Sequence, residues 1–175
     1  MSRESRRAWR VCRRIWRRMP TRPRVRLGGI SDPLSGGQYY PRVDMVALRP
    51  EMLRARPDAF LRCFAHEIIH STGSPKRLSR QSLVDAVAPQ PANPITSTAT
   101  LTLPTLQHFS TKLYAIYTED CVADLGGLKL LIAVGAFPSQ DVTEYLDYLS
   151  ARGYHFNSAD IEGYAEEAVS YVLGN

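Results

Sequence analysis

The chain has 175 residues and an apolar fraction of 44%, enough for one globular domain with a sizeable core. No apolar run approaches the roughly 18 residues of a membrane-spanning helix. The three scattered cysteines (Cys12, Cys63, Cys121) exclude a disulfide framework and a thiolate zinc site and fit a reducing cytoplasm. The net charge of +5 joins two opposite parts. Residues 1–26 hold eleven arginines and one acidic residue, Glu4, a balance of +10, whereas the rest carries eleven Lys and Arg against sixteen Asp and Glu, a balance of −5.

Residues 1–28 read as a basic arm ahead of a domain spanning 29–175. Trp9, Cys12, Trp16 and Met19 are spaced three, four and three, one narrow apolar stripe on a helix among Arg6, Arg7, Arg10, Arg13, Arg14, Arg17 and Arg18. Pro20 ends that helix near Met19, and Arg-Pro-Arg beyond it reads as an extended tether. The apolar segment that a secretory signal needs after its charges is missing. Three uses fit the arm. Arg6, Arg10, Arg13, Arg14 and Arg17 suit phosphates while Trp9 and Trp16 stack on unpaired bases of single-stranded DNA. The same pattern suits an anionic membrane surface, or a solvated tail docked on the acidic body by its tryptophan stripe.

Beyond it, Ser35-Gly36-Gly37 signals a turn, and Gln38 to Pro41 followed by Val43 to Leu48 suggests a hairpin whose first strand Pro41 places at an edge. Pro50 to Ser71 reads as helix, with Pro57-Asp58 a possible restart. Ser79 to Thr98 reads as a proline-rich loop and Thr98 to Leu103 as a short strand. Helix resumes from about Thr111 to Ala133, breaks near Gly135, and recurs over Ser139–Arg152 and Ser158–Leu173, with Ser158 as N-cap. The class is α+β, mainly helical with a small β-sheet.

Within the helix ending near Ser71 stands His66-Glu67-Ile68-Ile69-His70, an HExxH motif. Residues i and i+4 share one helix face, so both imidazoles can reach one metal ion. Glu67 sits between them, where it can take a proton from a water on that metal. Gly73 and Pro75 supply a stop. A catalytic zinc needs a third protein ligand. His108 and His155 are the remaining histidines, but Glu119-Asp120-Cys121-Val122-Ala123-Asp124 is the better source. Asp120 and Asp124 share a face of a largely apolar helix, one suited to ligate and the other to orient an imidazole. A solvated acidic patch is the plain alternative.

These two motifs resemble the zincins of the gluzincin type, which pair HExxH with a later helix bearing Glu-x-x-x-Asp. More specifically, the chain from Gln38 onward is similar to the metallopeptidase domain of ArdC-type antirestriction proteins of mobile elements. Their metal helix reads HExxHxTG followed by Lys-Ser-Arg-Leu, and here His66 to Gly73 is followed by Ser74-Pro75-Lys76-Arg77-Leu78. Their later helix resembles Glu-Glu-Leu-Val-Ala-Glu-Leu-Gly, matched by Glu119 to Gly126. The resemblance implies a zincin-like domain holding Zn2+ through His66, His70 and Asp120. Asp124 or Glu119 would lie behind these ligands, and Glu67 would be the general base of a peptide-bond hydrolase. Tyr114, Tyr117, His108 and His155 are candidate donors to the oxyanion. It also implies a phage, plasmid or integrated element as source and a protein or peptide as substrate. Aspartates at 120 and 124 shorten both arms by one methylene, so Asp120 ligates only if the helices approach closely, or Glu119 takes its place. The group's separate single-strand DNA-binding domain is missing. The alternative class is a nucleic-acid-binding accessory protein on a zincin scaffold without proteolysis.

Overall fold

The computed structural model describes residues 1–30, 32, 34–88, 103–139, 142–144, 147 and 158–175, with the side chains of all of these except 103–109 and 158. The helices are α1 (Arg3–Arg18), α2 (Pro50–Ala55), α3 (Pro57–Thr72), α4 (Gln81–Val87), α5 (Leu103–Ala133) and α6 (Ser158–Leu173). Strands β1 (Arg24–Leu27), β2 (Gly37–Tyr40) and β3 (Met45–Leu48) form one sheet in the order β1-β3-β2. The α+β class, mainly helical with a small sheet, is therefore what the described residues form.

Strand β3 is central, parallel to β1 and antiparallel to β2, with Val46 facing Val25 on one side and Tyr39 on the other. Its Val46, Ala47 and Leu48 are fully buried, as befits a strand covered on both faces. Strand β2 is at the edge as expected, and Pro41 leaves it directly into a 3-10 turn. The turn closes through Asp44 in the left-handed region (φ 50°). Its carboxylate accepts from both terminal nitrogens of Arg77, at 2.9 and 3.0 Å, and from the Tyr39 hydroxyl at 3.0 Å. That fork ties the hairpin to the turn following α3.

The basic segment differs from the expected arm. Ser2 caps α1 by accepting from the Ser5 amide, and Glu4 in the first turn and Arg17 and Arg18 in the last complement the helix dipole. Ala8, Val11, Cys12, Ile15 and Met19 are buried in the same core as Phe60, Phe64 and Ile68 of α3. The buried stripe is thus centred on Ala8, Cys12, Ile15 and Met19, with Trp9 and Trp16 at its margin. The expected tether contains β1, whose Arg24 amide donates to the Asp44 carbonyl at 2.9 Å. Isoleucine and alanine at i+7 complete a stripe that the eye reads first through its tryptophans.

Two further differences concern the middle of the chain. Gln81–Val87, expected as loop, is helix α4, and α5 begins at Leu103, eight residues before the expected start. The loop's three prolines lie at 89, 91 and 94, so nothing in Gln81–Val87 itself opposes a helix. Thr98 to 102 of the expected strand, and most of the expected Ser139–Arg152 helix, fall outside the described residues. Among those described, no helix is long and apolar enough to cross a membrane.

Candidate metal centre

Helix α3 begins with Pro57 at its first turn and ends at Thr72, where the Gly73 amide donates back to the carbonyls of His70 and Ser71. Phe60, Leu61, Phe64, Ala65, Ile68 and Ile69 fix it in the core, which leaves His66 and His70 on one side, facing α5. Their Nε2 atoms point at each other across 2.9 Å. Asp120 of α5 brings Oδ1 to 3.4 Å from His70 Nε2. One donor atom each from His66, His70 and Asp120 fits within a 4.8 Å cluster. Two ligands on a tetrahedral ion at 2.0–2.1 Å are about 3.3 Å apart, so only a slight outward turn of the rings separates this set from coordination.

The far nitrogens are held as well. His66 Nδ1 is 2.6 Å from Asp124 Oδ1, and His70 Nδ1 is 3.2 Å from Glu119 Oε1. A carboxylate accepting from Nδ1–H fixes the tautomer whose Nε2 lone pair faces inward. Asp120 and Glu119 differ in what each touches. Glu119 is 2% exposed, and its oxygens accept from Arg80 Nε at 3.1 Å, Arg80 Nη2 at 2.5 Å and Ser82 Oγ at 2.8 Å. Asp120 is exposed toward the cleft. Burial opposes ionisation of Glu119, yet His70 and Arg80 hold its carboxyl down to about 2. Burial likewise opposes a charged His70, but Asp120 and Glu119, with Glu67 behind them, raise its value to about 10. A ring so raised carries a proton at neutral pH, and a cation taking its Nε2 has to displace that proton, leaving the neutral tautomer that Glu119 selects.

Glycines let the two helices meet. A Cβ at Gly127 would lie 3.0 Å from the His66 amide nitrogen, and one at Gly126 3.0 Å from the Ile69 side chain. That close approach is the condition under which the shorter aspartate arms reach. Glu67 is 7% exposed and lines, with His66, His70 and Asp120, a cleft of about 480 Å³ bounded by Gly37, Gln38 and Tyr39 of β2 and by Leu83 and Val87 of α4. A Cβ at Gly37 would meet Cys63 Sγ at 2.6 Å and Glu67 Cγ at 3.1 Å, so glycine is needed where the edge strand crosses α3.

Other expected participants are placed elsewhere. Tyr114 and Tyr117 of α5 are exposed and do not line the cleft. The side chains of His108 and His155 lie outside the described residues. Burial pushes the Cys63 thiol up to about 12, with Glu67 adding to the shift, which makes it a poor nucleophile beside the cleft. The group that sequence reasoning missed is Arg80. It is 3% exposed and donates to Glu119, to Thr72 Oγ1 at 2.6 Å and to the Ile69 carbonyl at 2.9 Å. Its only signal was an arginine between Leu78 and the start of a helix, which spacing alone does not mark.

No protein-family model, curated protein or solved structure matches this chain. The functional reading therefore stands on the residues themselves.

Proposed function

We propose that the chain is a zinc-dependent metallopeptidase with a zincin-like domain. The observation that carries this is the double bracing of the HExxH histidines: each Nδ1 is met by its own α5 carboxylate, while both Nε2 atoms and Asp120 converge on one point. Two imidazoles and one carboxylate are a donor set that zinc takes in hydrolases, and all three side chains line one cleft. When bound, the ion lowers the pKa of a coordinated water to about 7 and polarises a carbonyl.

His66, His70 and Asp120 hold the ion, Asp124 and Glu119 keep both imidazoles aimed, and Arg80 keeps Glu119 ionised and in place. Glu67, which lines the same cleft as the three donors, would accept the proton of the attacking water and return it to the leaving amine. Its burial limits competing water. Motif likeness to the ArdC-type antirestriction proteins supports a mobile element in a bacterial cytoplasm as the setting.

The test compares the full chain with Glu67→Gln and His66→Ala, measuring zinc content by elemental analysis and cleavage of a fluorogenic peptide library. The parent should carry one zinc and cleave. Glu67→Gln should keep zinc and fold while losing cleavage at least about 100-fold, and His66→Ala should lose stoichiometric zinc. Equal zinc in His66→Ala and parent sinks the centre; cleavage by Glu67→Gln at the parent rate sinks the base.

A further inference from the structure

Helix α1 presents two features that the metal centre does not use. The first is a ridge: Arg10, Arg13, Arg14, Arg17 and Arg18 are all exposed and line one continuous shallow groove. Among the described residues none of them makes an ion pair, and Glu4 is the only acidic residue in the first 26. Arginines left without carboxylates on a helix anchored by its other face form a fixed cationic array, unlike a tail that can fold back on acidic neighbours. The second is a mostly apolar pocket of about 410 Å³, lined by Trp9, Cys12, Arg13, Trp16, Arg17, Val25 and Phe64. Both features share Arg13 and Arg17, so the ridge runs into the mouth of the pocket.

The two indoles are half-buried and held. Trp16 Nε1 donates to the Pro23 carbonyl at 2.9 Å, and the Arg22 guanidinium sits 5.1 Å from the ring centroid. The pocket is within the size range of sites that take small planar ligands. An occupant must therefore combine a flat apolar ring with regularly spaced anions a few ångströms away. From Arg10 to Arg18 the helix advances about 12 Å, room for a few consecutive phosphates.

We propose that α1 binds single-stranded nucleic acid, with consecutive phosphates on Arg10, Arg13, Arg14, Arg17 and Arg18 and one unpaired base in the Trp9–Trp16 pocket. A duplex keeps its bases stacked inside and can use only the ridge. A single strand uses both features.

The experiment measures binding of the full chain to a labelled oligothymidylate, the corresponding oligouridylate, a duplex of equal length and phosphatidylglycerol vesicles, over a salt series. Single strands should bind at least about tenfold more tightly than duplex, because stacking adds to the phosphate contacts. The slope of log K against log salt should be about −3 for four phosphates at 0.7 each. Arg13→Gln with Arg17→Gln should reduce the magnitude of that slope by about 1.4, whereas Trp9→Ala should weaken binding about tenfold with the slope unchanged. Circular dichroism checks that each variant is folded. Glu67→Gln and His66→Ala should bind as the parent does, which separates this site from the metal centre. Equal affinity for duplex and single strand, insensitivity to Trp9→Ala, binding confined to vesicles, or no binding at all would each overturn the proposal.

Discussion

Arg80 shows how much of the candidate centre rests on a side chain that is bonded to none of His66, His70 and Asp120. Its guanidinium and the Glu119 carboxylate are both sealed from solvent, and such a pair is fragile in one direction: removing one member strands the other. Arg80→Gln leaves Glu119 short of its strongest partner, so it should cost about 3–5 kcal/mol in chemical denaturation. Because Glu119 also aims His70, zinc affinity measured by competition with a chelator should fall about 10–100-fold. Arg80→Lys restores charge without the fork and should recover only part of each. A stability loss with unchanged zinc affinity would make Arg80 a core residue alone. At this scale the i, i+4 spacing in the sequence put His66 with His70 and Asp120 with Asp124 on shared helix faces, and the structure brings those faces together. It did not disclose Arg80, whose carboxylate partner lies 39 residues away and leaves no local period. Tyr114 and Tyr117 misled for the same reason: proximity in sequence to Glu119 says nothing about which way the helix turns them.

Two elements carry the site, and their separation is set by residues without side chains. A methyl at Gly127 would press on backbone atoms of His66 and Ala65, which have no rotamer to yield. Gly127→Ala should therefore force α5 outward, lower stability by about 1–3 kcal/mol, and weaken zinc binding more than a surface control such as Gly163→Ala, which meets open space. Thermal denaturation with and without zinc checks both effects. Elsewhere, the hairpin is fastened by Asp44. Burial opposes its ionisation, but the Arg77 fork prevails and holds its pKa below the ordinary carboxylate value. A lowered folded value means stabilisation that is complete above about pH 4 and lost as pH falls through the folded pKa. Asp44→Asn should be less stable than the parent at neutral pH, with the gap closing as pH falls through the lowered folded pKa, followed by denaturant titrations from neutral to acid pH. Helix and strand types in this region were legible from proline positions and alternation. Helix α4 and the early start of α5 were not, since a polar, serine-bearing stretch has no period strong enough to outweigh neighbouring prolines.

For the molecule as a whole, the placement of α1 is what the charge pattern concealed. A segment with eleven arginines in 26 residues reads as an appendage, yet Ile15 is fully buried and Met19 nearly so, beside Phe60 and Phe64. Ile15→Ala should cost about 2–5 kcal/mol, and the loss should appear in the single cooperative transition of the whole chain. A separate early transition for the basic segment would return it to the status of an arm. The reason it was hidden is compositional: five buried apolar positions are outnumbered by exposed arginines.

That same helix makes the molecule electrically lopsided. Residues 1–26 carry +10 on a rigid support while the remainder carries −5, so a polyanion exerts a torque as well as a pull and turns the basic side toward itself before contact. Charges fixed to the core hold that preferred heading, whereas a floppy tail would let the body tumble beneath it. Encounter orientation, and with it the association rate, should decline steeply once salt shortens the screening length below about 8 Å. Helix α3 packs directly against α1, so His66 and His70 stand one helix away from the basic ridge.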